Sequence, residues 1–387
     1  MYQRHIEKKV VALSKKYPVI AITGPRQSGK TTFIKAIFKG YRYVSLEDMN
    51  MREFAQNDPV GFLDEYGVKS IIDEIQRVPQ LFSYLQTKVD SSKKTGQYII
   101  SGSQNFLLMH NTSQSLAGRV ALFKLLPFSI SELQQAKKLA GSLERTIFLG
   151  FYPRLFDKRI HPSDFYPSYI ETYVERDVRH LTNITDLDRF RLLLKLCAGR
   201  IGQIINLQSL ANDVGISQPT AKAWLSVLEA SYIIFRLTPF HNNFNKRLIK
   251  SPKLYFYDTG LACSLLGITQ ADQLKTHYLK GGLFENLVIL DMYKTQLNKG
   301  VNKDLYFWKD SNGNEIDLLW TEGEKINIAE IKYNNTFSQN YLKGLNSFIA
   351  PDKYKINKKW LVLGDHLPQI RSNINITGFK KVPYNVM

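Results

Sequence analysis

The chain has 387 residues, 44% of them hydrophobic, which is too long for one ordinary core and too apolar for global disorder, so two or three folded domains are expected. A formal net charge of +18 favours polyanionic partners, nucleic acid or an anionic membrane surface, over a merely Lys-rich surface. Two isolated cysteines, Cys197 and Cys263, give neither a disulfide framework nor a zinc cluster and fit a reducing cytoplasm. The polar start Met1–Lys9 has no apolar signal core, and no apolar run reaches the roughly 18–20 residues that span a bilayer. The expectation is a soluble, cytoplasmic protein with no membrane partner.

Short β-like runs open the chain at Val19–Thr23, Tyr41–Leu46, Val68–Ile72 and Gln97–Ser101, with a fifth at Val120–Leu126. Amphipathic stretches such as Thr31–Phe38 and Leu81–Val89 lie between them. Strands alternating with helices predict a parallel sheet covered on both faces. Pro162 to Leu181 reads as one helix, followed by a helical block from Leu187 to Leu228 and a β-like run at Tyr232–Leu237. A polar break near Asn242–Asn245 precedes a basic stretch, Lys246 to Lys253. From about Gly281 the order becomes helix, hairpin, strand, helix, strand, which predicts a further domain.

The segment Gly24-Pro25-Arg26-Gln27-Ser28-Gly29-Lys30-Thr31 matches the G-x-x-x-x-G-K-[ST] phosphate loop, with an apolar strand before it and a helical pattern, from Thr32, after it. Its glycines let the backbone curl so that N–H groups face phosphates, and the helix N-terminus adds partial positive charge. Lys30 is then expected on the β/γ-phosphates of ATP and the Thr31 hydroxyl on Mg²⁺. Ser70-Ile-Ile-Asp73-Glu74 is a strand ending in acid at a suitable distance. Asp73 would hold Mg²⁺ through water, and Glu74 would polarise the attacking water, which favours hydrolysis over binding alone. Ser103 and Gln104, after the strand from Tyr98, are candidates to sense the γ-phosphate; an ordinary strand-to-helix turn is the alternative. Arg119, in Ser115-Leu-Ala-Gly-Arg119, is a candidate for the phosphates of its own or a neighbouring subunit, or else a surface arginine.

In the helical block Asn206 can cap a helix from Leu207 to about Val214, and Ser217 a second from Gln218 to Ala230. Helix, short turn, helix, strand is the order of a winged helix-turn-helix. Its exposed residues Gln218, Thr220 and Lys222 carry one lysine, so a helical lid packed on protein competes with a DNA reader.

Near the C-terminus, Glu285 lies on a helical stretch, Asp317 on the second strand of a hairpin with an Asn312-Gly313 turn, and Glu330 and Lys332 on the following strand. Positions two apart share a face, so Glu330 and Lys332 point together. Asp317 and Glu330 could bind a metal ion, with Lys332 and Glu285 beside it, which suits Mg²⁺-dependent phosphodiester cleavage. A solvated Glu–Lys face is the plainer alternative. Basic clusters at Lys353–Lys359 and Lys380-Lys381, interleaved with Tyr354 and Trp360, suit a phosphate-contacting surface or simply solvated lysines.

With these residues in hand, the chain resembles the AAA+-type P-loop ATPases that carry a C-terminal DUF4143 domain. The resemblance rests on Gly24–Thr31, Ile71–Glu74, Ser101-Gly-Ser103, Ser115–Arg119, Tyr173-Val-Glu-Arg-Asp177, Pro252-Lys-Leu-Tyr-Phe-Tyr-Asp258-Thr-Gly260, and Asp317 with Glu330-x-Lys332. It implies an α/β architecture in three parts: a P-loop parallel-sheet ATPase domain (1–160), a winged-helix-like helical domain (161–245) and a restriction-endonuclease-like domain (246–387). The expected function is an ATPase acting on DNA, with a C-terminal PD-(D/E)xK-like domain that cleaves or binds it with Mg²⁺. The alternative is a non-catalytic, ATP-gated switch or scaffold with a degenerate nuclease fold. A homo-oligomer stays open.

Overall fold

The computed structural model describes residues 2–92, 94–103, 116–178, 184, 186–241, 251–301 and 305–381. The chain divides into two compact units. The first comprises Met1–Phe128 with the short segments Ala230–Tyr232 and Leu297–Val301; the second comprises Ser129–Glu229, Ile233–Gln296 and Asn302–Met387. Most of the expected 161–245 and 246–387 parts, with residues 129–160, lies in the second unit. The break at Asn242–Asn245 lies outside the described residues.

In the first unit the order is α1 (Glu7–Ser14), β1 (Val19–Thr23), α2 (Lys30–Ile37), β2 (Arg42–Ser45), α3 (Met49–Asn57), α4 (Pro59–Tyr66), β3 (Ser70–Asp73), α5 (Leu81–Asp90), β4 (Tyr98–Gly102) and β5 (Val120–Lys124). All five strands are parallel, in the order β2-β3-β4-β1-β5. Alternation along each strand makes two cores. Val19, Ala21, Ile72 and Ile100 pack with Phe62, Leu81 and Leu85 on one face. Ile20, Ile22, Ile71 and Ile99 pack with Val10, Phe33 and Ile34 on the other. The runs Val19–Ile22, Ile71-Ile72 and Tyr98–Ile100 are therefore apolar on both faces, as inner strands of a sheet covered on both sides require, whereas the edge strand β2 buries only Val44.

The second unit begins with α6 (Ile130–Gln135), α7 (Leu143–Leu149), α8 (Pro153–Asp157) and α9 (Pro162–Tyr169). The single helix expected from Pro162 to Leu181 changes hand-over at Ile170 into a π-helical stretch, Ile170–Val178. Three helices follow: α10 (Leu187–Ala198), α11 (Leu207–Val214) and α12 (Gln218–Ala230). Asn206 caps α11 by accepting from Ser209 N at 3.0 Å, and Ser217 caps α12 by accepting from Thr220 N at 3.2 Å. Gly215, left-handed at φ 74°, ends α11 and makes the turn.

Strand β6 (Ile234–Pro239), β7 (Lys253–Phe256), α13 (Thr259–Leu265), α14 (Lys280–Lys299), β8 (Leu305–Lys309), β9 (Glu315–Glu322), β10 (Lys325–Ile331), α15 (Lys343–Ser347), β11 (Lys355–Leu363), β12 (Gln369–Arg371) and β13 (Ile374–Gly378) complete it. The strands form one mixed sheet in the order β12-β13-β11-β10-β9-β8-β6-β7. The Asn312-Gly313 turn joins β8 and β9, with Gly313 at φ 82° and Asp310 accepting from the backbone of Asn312 and Asn314. Ile316, Leu319, Ile328, Leu345 and Leu361 form the core that carries β9 and β10.

Candidate functional site

The first site lies at the C-terminal ends of the parallel strands. Gly24 leaves β1 so close to β5 that an added Cβ would sit 2.1 Å from the Leu125 carbonyl oxygen. Gly29 is left-handed at φ 89° where α2 begins, and Gln27 shares that region at φ 62°. Lys30 Nζ, 6% exposed, donates to the carbonyls of Gly24 and Pro25 at 2.9 Å each. Burial holds its pKa below the ordinary lysine value, against the opposing pull of Glu74 and Asp73. Arg4 is buried and donates to the Ser28 carbonyl at 3.2 Å and to the Leu126 carbonyl at 2.6 Å, which ties the chain's start to the loop.

Strand β4 lies between β1 and β3, so its end meets the acids of β3. Thr31 Oγ1 donates to Asp73 Oδ2 at 2.7 Å. Ser101 Oγ donates to Asp73 Oδ1, and Tyr43 OH to Asp73 Oδ2 at 3.1 Å. Burial and then Asp73 push the Tyr43 pKa up to about 12, so it stays a donor. Glu74 has left-handed backbone angles, φ 56° and ψ 41°, and its Oε2 accepts from Ser103 Oγ at 3.0 Å and from Gln76 Nε2. Arg26 and Arg77 flank Glu47 at 3.8 and 3.7 Å. Pro25 and Ser28 are buried, Gln27 and Thr32 exposed.

Arg119 stands elsewhere. It precedes β5, whose Val120 is level with Val19 at the start of β1, so the length of β1, about 16 Å at roughly 3.3 Å per residue, separates it from the loop. Its Nε and Nη2 both donate to Asp90, and its Nη1 donates to the Ala117 carbonyl at 3.0 Å. Its expected role on the phosphates of its own loop is therefore corrected to a pair with Asp90 at the opposite end of the strands. Gln104 and Ser115 lie outside the described residues.

The second site lies on β9, β10, α14 and β7. Asp317 is 6% exposed and its Oδ2 accepts from Ile331 N at 2.8 Å, which locks β9 to the end of β10. Lys332 Nζ lies 2.6 Å from Glu330 Oε1 and 3.5 Å from Asp317 Oδ2. Glu285 on α14 accepts at Oε1 from Tyr255 OH and from Lys253 Nζ, the latter at 2.8 Å. The structure thus brings all four expected residues, Glu285, Asp317, Glu330 and Lys332, into one cluster.

Burial and then the charge of Asp317 push Glu285 up to about 7, against Lys253. The same two causes push Glu330 up to about 8, against Lys332. Glu330 Oε2 is buried and has no hydrogen-bond partner among the described residues. Beside it stands Gly344 of α15, where a Cβ would come 3.3 Å from that oxygen and 2.2 Å from the Glu315 carbonyl oxygen.

Sequence reasoning missed Lys253, Tyr255 and Glu315. Lys253 had been grouped with a basic stretch; it is 3% exposed and pairs with Glu285, Glu315 and Asp317. The signal that could have found it is a lysine opening an otherwise apolar strand, Leu254-Tyr-Phe256. The basic clusters turn out to be partly spent. Lys380 Nζ pairs with Asp365 at 2.9 Å, Lys359 Nζ donates to the Leu345 carbonyl, and Tyr354 packs edge-on against Phe240.

Comparison with known proteins follows the same layout. Residues 16–134 match the family described as AAA domain, 140–272 a domain of unknown function (DUF8612), and 280–381 a domain of unknown function (DUF4143). An uncharacterised protein of Mycobacterium tuberculosis is 31% identical over 322 residues, spanning 82% of this chain and 71% of that protein. The chain belongs to this family of AAA-domain proteins with a C-terminal DUF4143 domain. An uncharacterised protein of Methanocaldococcus jannaschii is 22% identical, spanning 93% of this chain and 83% of its own. Among solved structures, a Walker-type ATPase of Pyrococcus abyssi is similar with a TM-score of 0.43 and 15% identity, over 68% of this chain and 96% of that one. The first unit of this family member is an AAA-type ATPase domain. No helix among the described residues is long and apolar enough to cross a membrane.

Proposed function

We propose that the chain binds and hydrolyses ATP at Gly24–Thr31 and acts on nucleic acid through its second unit, cleaving a phosphodiester with Mg²⁺. The observation that carries the first half is the contact of Thr31 with Asp73 at 2.7 Å, beside a Glu74 held by Ser103. The loop fits a triphosphate: among the described residues Ser28 Oγ is buried without a partner, and Lys30 Nζ donates to loop carbonyls that a phosphate can replace. Lys30 would neutralise the β/γ-phosphates, and Thr31, with Asp73 through water, would hold Mg²⁺. Bound Mg²⁺ supplies charge neutralisation on the phosphates. Glu74 then orients and polarises the attacking water, and Ser103 keeps its carboxylate aimed.

The second half rests on Glu330 Oε2, a buried carboxylate oxygen lacking a partner next to Asp317. Among the described residues no three His, Cys, Asp or Glu side chains converge into a ready cage. The fit is that of a sparse magnesium site, one or two carboxylates with water completing the shell. Asp317 and Glu330 would hold the ion, which supplies Lewis-acid polarisation of a phosphate oxygen. Lys332 holds Glu330 and carries positive charge to the same place. The +18 charge agrees with a polyanionic substrate. The α11–α12 pair with β6 and β7 has the order of a winged helix, and its exposed Gln218 and Lys222 are the residues that would meet DNA.

The test is cleavage of single- and double-stranded DNA and RNA with Mg²⁺ or Mn²⁺, with ATP turnover read from the same tubes. Metal-dependent nicking that disappears in Asp317→Ala and in Lys332→Ala is the expected result. DNA binding that persists in Asp317→Ala, with no cleavage of any substrate by the wild type, would leave the ATP-gated scaffold in its place.

A further inference from the structure

We propose that Arg77 is the arginine of the ATP site, meeting the γ-phosphate oxygens from within the same chain, and that Glu47 is the carboxylate that competes with that phosphate for it. The proposal rests on the reading of Gly24–Thr31 as an ATP loop and adds the source of an arginine, since Arg119 stands at the other end of the strands. Its ground is a half-filled guanidinium. Nε and Nη2 of an arginine form one edge, two parallel donors that match an acceptor with two oxygens. On Arg77, Nη2 stands 3.7 Å from Glu47 Oε1, beyond hydrogen-bond length, and Nε is buried with no acceptor among the described residues. The same edge is filled on Arg119 by Asp90 and on Arg236 by Glu229. A buried donor of a charged group is costly to leave unpaired, so the fork of Arg77 calls for an acceptor.

Glu47 does not satisfy that fork. Its Oε1 is divided between Arg77 Nη2 and Arg26 Nη2, at 3.7 and 3.8 Å, and its side chain is 53% exposed. Pairs that long and that open to solvent contribute little and exchange readily. The backbone that carries Glu47 is nonetheless fixed, because Arg52 donates to the carbonyls of Leu46 and Glu47 at 3.0 and 3.1 Å. Arg77 is fixed too. It closes the turn Ile75–Arg77, which is tied to Glu74 twice: Arg77 N donates to the Glu74 carbonyl at 3.1 Å, and Gln76 Nε2 donates to the Glu74 carboxylate.

The place suits a γ-phosphate. β4 and β3 lie between β1 and β2, so Arg26, after β1, meets Glu47, after β2, across the ends of two strands, a span of about 14 Å at roughly 4.8 Å per strand. Those two strands carry Ser101 and Asp73, and Asp73 takes the Thr31 hydroxyl. After burial, Glu74 and Asp73, the charges of Arg26 and Glu47 are also felt at the Lys30 ammonium. The two arginines and Glu47 therefore stand over the residues that would hold Mg²⁺ and the terminal phosphate. A γ-phosphate offers the two oxygens that the Nε–Nη2 edge lacks, and ADP has no such group. Arg77 would there neutralise charge on the transferred phosphoryl oxygens.

The experiment titrates the full chain by calorimetry, with Mg²⁺ present, using ADP and the non-hydrolysable β,γ-imido analogue of ATP. It compares wild type, Arg77→Ala, Arg77→Lys, Glu47→Gln and Lys30→Ala, each checked by a thermal melt. We expect Arg77→Ala to weaken the imido analogue by about 10–100-fold and to leave ADP within about two-fold. Arg77→Lys keeps the charge without the fork and should recover part of that loss. Glu47→Gln removes the competitor, so the analogue should bind a few-fold tighter with ADP unchanged. Opposite signs at Arg77 and Glu47 are the signature, because a pair that merely braces the loop would weaken both nucleotides in both variants. An Arg77→Ala chain that loses ADP and the analogue alike, or neither, overturns the proposal and leaves the ATP loop intact. A Glu47→Gln chain that binds the analogue no tighter does the same. A wild type that binds neither nucleotide, or binding unchanged in Lys30→Ala, overturns both. Should Arg77→Ala not fold, Arg77→Lys against Glu47→Gln decides by the same opposite signs.

Discussion

Glu74 occupies the left-handed region of backbone space, a conformation that costs a glutamate on the order of 1–3 kcal/mol and persists only where neighbours hold it. Ser103 and Gln76 hold its carboxylate from β4 and from the turn after β3. Glu74→Gln keeps the shape and removes the basic oxygen. ATP turnover should fall by about 10²–10⁴-fold while nucleotide affinity, read by fluorescent-analogue titration, stays within a few-fold. Ser103→Ala removes only the bond that aims Glu74, and a loss of about 10–100-fold in kcat with little change in KM is expected. A rise in KM with kcat unchanged would assign Ser103 to substrate binding instead. The run Gly24–Thr31 was legible in the sequence because a phosphate loop is one contiguous motif, and Asp73-Glu74 because an apolar strand ends there in two acids. Lys253 was not, since its partners lie 32, 62 and 64 residues away and only the fold brings them together.

At the scale of elements, Asp258 caps α13 and ties it to α9 and to the segment between α7 and α8. Its carboxylate accepts from Phe151 N at 2.9 Å, Tyr166 OH at 2.6 Å and Leu261 N at 3.1 Å. Gly150 and Gly260 leave the space: a Cβ at 150 would meet the Tyr166 hydroxyl at 2.0 Å, and one at 260 would meet the Tyr166 ring at 2.5 Å. Asp258→Ala strands the backbone donors of Phe151 and Leu261, while Tyr166 OH keeps the Leu149 carbonyl, and should cost about 2 kcal/mol or more, seen as a lowered melting temperature. The segment Tyr257-Asp-Thr-Gly260 belonged to the family resemblance, and the structure supplies this physical reason for it.

Asp291 on α14 does the same for α6, accepting from Ile130 N at 2.7 Å. Burial pushes it up to about 7, against Lys294. An acid with a raised folded pKa keeps its proton where the unfolded chain has lost it. That stability is whole below the unfolded value of 3.8 and declines as pH rises through about 7. The melting temperature should therefore fall between about pH 4 and pH 7, and Asp291→Asn should make that fall shallower. Strand positions were legible from apolar runs. The order β2-β3-β4-β1-β5 was not, because local periodicity says nothing of which parallel strands are neighbours. The last hairpin, β12 and β13, escaped for a different reason: its strands are short and partly polar.

At the scale of the whole molecule, the charge of +18 and the two acidic sites have to be reconciled. A polyanion bound through lysines and arginines releases counterions, so DNA affinity should fall steeply and log-linearly with salt. A flat salt dependence would point to a protein partner. One chain joins an AAA-type ATPase domain to a DUF4143 domain, and the proposed function couples ATP turnover to nucleic acid. The most direct measurement is the steady-state rate of ATP hydrolysis by wild type and Lys30→Ala, with and without DNA, at fixed Mg²⁺. A wild-type rate raised by DNA and a Lys30→Ala rate at background under both conditions are expected. A wild-type rate indifferent to every nucleic acid tried, or turnover surviving in Lys30→Ala, would contradict the proposed function.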